Sequence, residues 1–452
     1  MRWMLAVVGQ CALSLTALAD GPKDPPKAPP AANPPPVIRG AFPEPESIAK
    51  LVEKLGGSDY KAREAAARAL ETRGVEALPD LRKALEGAKN AEVRHRLQGM
   101  VQSLERVQTL SPKRVTLKMK DRPLRDAIKD VARQTGYQMQ YQGGNRTITL
   151  DKENVSFWEI MDYLCNTAGL TMWHNEGQGV MLYDNESQYW PYVVYQGPFK
   201  IAANNFSYNK TVNLGPVQRN PANNQFRSES LTFQFTIHAE PKLPLMGMGQ
   251  PKLVEAIDEL GNSMRPSDRG VHESSYPPNY NGYRSFQYGS SVNLSWPNKD
   301  VHQVKFIRVA VPVILLSEQK PEVVVDDILK VKKQKFTGGS VEVTIEDVKE
   351  QNNKTQYHVK MGIRNTASNA GQDYSWTNSV HQRIELFDAK GNRWHPQGYN
   401  WESSSTGHVQ ATFMFGNNGG PVAPGPPARL VYNHWNLMQH TIEFEFKDLQ
   451  LP

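Results

Sequence analysis

"RVTLKMKDRPLRDAIKDVARQTGYQMQY", Arg114 to Tyr141, is followed almost at once by "TITLDKENVSFWEIMDYLCNTAGLTMWH", Thr147 to His174. At an offset of 33 residues the stretches pair Val115 with Ile148, Leu117 with Leu150, Leu124 with Phe157 and Ile128 with Met161. Val131 then meets Leu164, Gly136 meets Gly169 and Met139 meets Met172. Each stretch alternates apolar and polar residues, switches to amphipathic helical spacing near Pro123 or Ser156, stops at a glycine and alternates again. A duplicated β-α-β unit is the reading. Neither half can bury its helix stripe alone, so the two are expected to share one small sheet with both helices on one face. Leu124, Ile128, Val131, Phe157, Met161 and Leu164 are then the core.

The "PLRDAIKDVARQTG" helix with its stop, and "SFWEIMDYLCNTAGL" followed by two short strands, carry a likeness to a known family. Residues 113–185 resemble the short N-terminal domain shared by secretins and TonB-dependent transducers. The resemblance implies a periplasmic domain that binds other proteins and has no catalytic residues. Arg125, Lys129 and Arg133 of the first helix are the candidate protein-binding surface. The remainder of the chain lacks the regular train of ten-residue amphipathic strands of a transducer barrel, so a pore or receptor role does not carry over.

The first residues, "MRWMLAVVGQCALSLTALAD", have a basic start at Arg2, a short apolar run and small residues at Ala17 and Ala19. They read as a cleavable secretory signal over residues 1–19. The run is too short and too interrupted for a membrane span, and no later stretch offers one. Gln10 stands where a lipoprotein signal needs a small residue before its cysteine. Of two cysteines, cleavage removes Cys11 and leaves Cys165 alone in an amphipathic helical pattern, where a buried small hydrophobe is expected. Residues 20–46, rich in proline and alanine, form an extended disordered linker. The net charge of +6 is spread along the chain, and the densest basic run, "LKVKKQK" at Leu329 to Lys335, has no interleaved aromatics. A lysine-bearing strand edge is expected there, not a nucleic-acid site.

Residues 47–110 repeat short amphipathic helices broken at Gly56-Gly57-Ser58 and Gly74, in a pattern that resembles HEAT-type helical repeats. Residues 188–335 read as a β-rich domain with strands at "PFKIAANNF", "LTFQFTIHAEP", "SVNLSW" and "FIRVAVPVILL", and with one helix, "PKLVEAIDELGNSM", Pro251 to Met264. A tyrosine-rich insert, 272–291, carries Tyr276, Tyr280, Tyr283 and Tyr288 among Gly, Asn, Pro and Ser. Residues 338–452 open with an alternating hairpin, turn at Lys390-Gly391-Asn392 and close on "HTIEFEFKDLQL", which fits an immunoglobulin-like β-sandwich. The fold class is thus multidomain α+β: a helical region, a duplicated β-α-β domain and two β-rich domains.

No H-E-x-x-H, C-x-x-C, G-x-S-x-G or glycine-rich phosphate loop occurs. His381, His395, His408, His434 and His440 match no zinc spacing, and Asp326-Asp327 is an ordinary carboxylate pair. No catalytic residue, metal or cofactor is expected. The sequence points to an exported, nonenzymatic scaffold or adaptor of the bacterial cell envelope whose partners are envelope proteins, bound through the helical repeats and the duplicated domain. The alternative is a glycan-binding envelope protein. In that reading the four tyrosines of the insert are the contacts, because rings on Gly- and Asn-bearing loops suit sugar faces as well as proteins.

Overall fold

The computed structural model describes residues 46–175, 179–185, 190–212, 227–266, 279–296, 300–367, 374–417 and 423–451. The expected leader, and the linker up to Pro45, lie outside the described residues. The chain divides into two compact units between Thr72 and Arg73. In the first, α1 (Ile48–Leu55) and α2 (Tyr60–Thr72) make a helical hairpin that buries Leu51, Leu55, Ala66 and Leu70. Arg63 Nη1 donates to the Gly57 and Ser58 carbonyls across the turn, so the glycine break is held from the following helix.

The second unit opens with another helical hairpin, α3 (Leu78–Gly87) and α4 (Ala91–Leu110). Asn90 caps α4 by accepting from the Glu92 and Val93 amides. The duplicated segment follows as β1 (Arg114–Pro123), α5 (Leu124–Thr135), β2 (Met139–Gln142), β3 (Thr147–Ser156), α6 (Phe157–Ala168), β4 (Leu170–Asn175) and β5 (Gly179–Asp184). Its repeat extends to the backbone. Asp121 and Asn154, related by the same offset, both sit at φ near 50°, and Gly136 and Gly169 end the helices in the left-handed region. Only glycine adopts that conformation at little cost, which is why both helices stop there.

The expected single sheet is corrected. β1 pairs antiparallel with β3, while β5 lies between β2 and β4 in a separate three-stranded sheet. Both helices touch strands of both sheets, and one core joins Val115, Leu117, Ile148 and Leu150 to Tyr141, Leu170, Val180 and Leu182. The physical reason is stripe width. α6 buries Phe157, Trp158, Ile160, Met161 and Leu164, more of its circumference than one sheet can cover. All six core residues expected from the sequence are buried.

The rest is β-rich. A first set comprises β6 (Val193–Gln196), β7 (Phe199–Val212), β8 (Arg227–Ala239), β9 (Leu245–Met248), β10 (Lys252–Asp258), β11 (Asn279–Ser285), β12 (Gln287–Leu294) and β13 (Gln303–Asp326). A second comprises β14 (Gln334–Thr337), β15 (Val341–Gln351), β16 (Gln356–Asn365), α7 (Tyr374–Ser379), β17 (Ile384–Asp388), β18 (Arg393–Ser405), β19 (His408–Gly416) and β20 (Pro427–Gln450). The helix expected at Pro251 to Met264 is instead strand β10, whose Ala256 and Ile257 pair with Ile307 and Phe306 of β13, followed by a tight turn. Its "LVEAIDEL" pattern satisfies a helical period, but the β13 ladder offers partners for its backbone and tertiary pairing decides.

The two β sets repeat one topology. β12-β8-β7-β6 has the strand order of β19-β16-β15-β14, and β10 flanks β13 as β17 flanks β20. Register irregularities coincide too. β7 slips between Ala203 and Asn205, and β15 slips between Ile345 and Asp347. β10 and β17 both shift just before Asp258 and Asp388, and each aspartate closes a D-x-x-G-N turn by accepting from the backbone and side chain of the asparagine. Asp327 and Asp448, each immediately before a buried core residue, Ile328 and Leu449, have φ of 50° and 52°.

These long strands tie the sets together. β13 and β20, each of 24 residues, pair antiparallel along almost their whole lengths. Val304 to Leu315 of β13 lie in the first core, whereas Val323 and Val325 lie in the second. Conversely, Leu430 and Tyr432 of β20 belong to the second core, while Ile442, Phe444, Phe446 and Leu449 complete the first. Each set lends the end of its last strand to the other. The border expected at 335–338 is therefore crossed in both directions.

Candidate functional site

The duplicated domain is joined to the first β set by buried polar groups. Glu240, fully buried after β8, accepts from the Lys113 amide through both oxygens at 3.1 and 3.2 Å, and from the Tyr137 hydroxyl at 2.6 Å. Burial pushes the Glu240 carboxyl above its ordinary range, and burial followed by the Glu240 charge pushes the Tyr137 phenol upward. Lys242 donates to the Ser111 carbonyl, and its own burial lowers its pKa. On α6, Trp158 Nε1 donates to the Pro198 carbonyl at 3.1 Å, and Asp162 pairs with the nearly buried Lys200 at 2.5 Å while accepting from the Tyr195 hydroxyl. His238, beside Trp158, is lowered to about 4 by burial and then by Lys200. Cys165 packs against the core and its thiol is pushed up to about 12, chiefly by burial, so it behaves as the hydrophobe expected.

Sequence offset now explains the face used. Arg125, Lys129 and Arg133 of α5 stand at the repeat positions of Trp158, Asp162 and Asn166 of α6. The α6 face docks through Trp158 and Asp162; the matching α5 face is exposed. Arg125 donates to the Tyr141 and Gly143 carbonyls and lies over the Tyr141 ring at 5.1 Å, so it also fastens the β2–β3 turn. Arg133 pairs with Asp130 at 3.0 Å, and Lys129 points into solvent. Where α6 borders β6, a groove of about 450 Å³ is lined by Lys152, Glu159, Asp162, Tyr163 and Tyr195, with the Lys152 ammonium 4.1 Å from the Tyr163 ring centroid.

The tyrosines of the insert do not converge. Tyr276 lies outside the described residues, as does the side chain of Tyr280, whose backbone pairs with Gly247. Tyr283 on β11 turns toward the second β set, 5.7 Å from His381, whereas Tyr288 on β12 packs against the first core. Between them Arg284 donates to Gln319 and to the Gln382 carbonyl, and with Arg383 it flanks Trp435, each guanidinium 4.5 Å from the ring. The insert's described part thus folds onto its own β sets. The basic run at 329–335 reaches the edge strand β14, with Lys330, Lys332 and Lys335 paired to Asp327, Asp347 and Glu342.

No known protein family, curated protein or solved structure matches this chain.

Among the described residues no three His, Cys, Asp or Glu side chains cluster as metal ligands would, and no helix is long and apolar enough to cross a membrane. Glu240, Lys200 and Trp158 were not singled out by sequence reasoning. One signal pointed to Trp158 alone: at two surface positions of the repeat, Arg125 and Lys129 give way to Trp158 and Asp162, a change a free surface does not require.

Proposed function

We propose that the protein is an exported, nonenzymatic adaptor of the bacterial cell envelope, with the duplicated domain as its recognition element. The secretin and TonB-dependent transducer resemblance of residues 113–185 supports a periplasmic protein-binding role. The observation that carries the reading is the unequal use of two equivalent helix faces. α6 spends Trp158 and Asp162 on docking, while the equivalent α5 residues Arg125, Lys129 and Arg133 are left exposed. Asp162 finds Lys200; by the same geometry a basic α5 face suits a partner with acidic residues. The helices of 47–110 extend this role as HEAT-like repeats, and residues 338–452 contribute an immunoglobulin-like sandwich.

The test has two arms. Protein recovered from the envelope should begin at Asp20; a cytoplasmic product retaining Arg2 refutes export. Immobilised full-length chain should capture a discrete envelope protein, and the Lys129→Glu, Arg133→Glu double variant should release it with an unchanged melting temperature. Capture that survives the double variant refutes the α5 face. The insert tyrosines support the glycan alternative less well, because Tyr283 and Tyr288 serve different β sets.

A further inference from the structure

The two β sets permit an internal comparison at one place. On the first set, a cleft of about 440 Å³ opens where the chain enters β6, beside the β7 bulge and the end of β20. Trp190, Tyr192 and Phe206 give it ring surface; Asn204, Asn205 and Gln450 give it carboxamides. The bulge matters. A regular strand sends successive side chains to opposite faces, but the slip at Asn204 leaves both asparagines exposed together. Asn204 is fixed by hydrogen bonding to Thr236 Oγ1 at 3.0 Å.

The equivalent place on the second set has the same bulge and the same preceding edge strand, with different chemistry. Lys332 and Gln334 replace Trp190 and Tyr192, Glu346 and Asp347 replace the two asparagines, and Lys332 lies 3.8 Å from Asp347. One scaffold therefore carries charged side chains, including a lysine–aspartate pair, in one copy and a cleft lined without charged side chains in the other. A fold that needed only solubility here would be served by either.

We propose that the first cleft is a binding subsite for a neutral saccharide. Rings accept the apolar C–H face of a pyranose, amides exchange donors and acceptors with its hydroxyls, and the missing charges disfavour uronic or phosphorylated sugars. The volume is within the range of small-ligand sites. This site is separate from the α5 face and from the insert tyrosines, and it stands whether or not the adaptor reading does.

Isothermal titration of the full chain with cellohexaose, maltohexaose and hexa-N-acetylchitohexaose, and with a galacturonic acid hexamer as charged control, tests it. The expected result is saturable binding of at least one neutral hexamer. Asn205→Asp, and Asn205→Asp with Trp190→Lys, install the residues that the second set tolerates at these positions, and should weaken binding by about tenfold or more without lowering the melting temperature. Tyr283→Ala should leave it unchanged. No binding of any neutral hexamer at millimolar concentration, binding of the charged hexamer alone, or binding indifferent to Asn205→Asp overturns the proposal.

Discussion

Asp388 accepts hydrogen bonds from the Lys390, Asn392 and Gly425 amides and from Asn392 Nδ2, each at 2.8 Å. Burial alone would raise its carboxyl, but these donors outweigh burial and hold it at about 2, below the ordinary 3.8. A depressed carboxyl stabilises the fold fully above the unfolded value and loses that contribution as pH falls toward the folded one. Asp388→Asn should thus cost about 1–3 kcal/mol near neutrality, and chemical denaturation should show the gap from wild type narrowing between pH 4 and pH 2. Glu240→Ala strands the Tyr137 hydroxyl and the Lys113 amide; unfolding measurements should register a loss of about 2–4 kcal/mol, with Glu240→Gln milder because an acceptor remains. The D-x-x-G-N turn also marks how far local sequence can be read. "DAKGN" at 388–392 is legible as a turn because flanking strands alternate cleanly. "DELGN" at 258–262 has the same D-x-x-G-N pattern, yet the preceding "LVEAI" fits a helix as well as a strand.

Helices α5 and α6 and the β15–β16 hairpin were legible in outline, since period, caps and glycine stops are all local. Their sheet was not: β1 pairs with β3 rather than β2, and the width of the α6 stripe that calls for two sheets includes Trp158, whose partners Pro198 and His238 are distant in sequence. Trp158 is the residue where that dependence concentrates. Trp158→Ala should cost about 3–5 kcal/mol and free the duplicated domain from the β sets before global unfolding, which limited proteolysis would detect as an early cut near Ser111 to Lys113. If Trp158→Ala leaves the proteolytic pattern unchanged, the docking is not held there. Leu124→Ala, in the same domain's core but away from the junction, should lower stability by about 2–5 kcal/mol without that early cut.

The β duplication escaped sequence reading because its equivalences preserve pattern and bulge position, not residue identity: Phe199, Ile201 and Ala203 match Val341, Val343 and Ile345. Its mutual strand exchange could not be read at all, since β13 and β20 meet only after the whole second set has intervened. A fragment of residues 188–338 lacks Ile442, Phe444 and Phe446 and carries the unsatisfied end of β13. Light scattering should find it dimeric or aggregated, and a peptide of residues 437–451 added in trans should return it to a monomer; a well-folded monomeric fragment without peptide would contradict the exchange. The exchange also has a temporal side. As the chain leaves the ribosome, the core of the first β set stays open, with Phe233 and Phe235 lacking the β20 phenylalanines that cover them, until β20 itself is synthesised. Completion of that core awaits translation of β20, so a pause before it would lengthen the interval in which the apolar surface is uncovered.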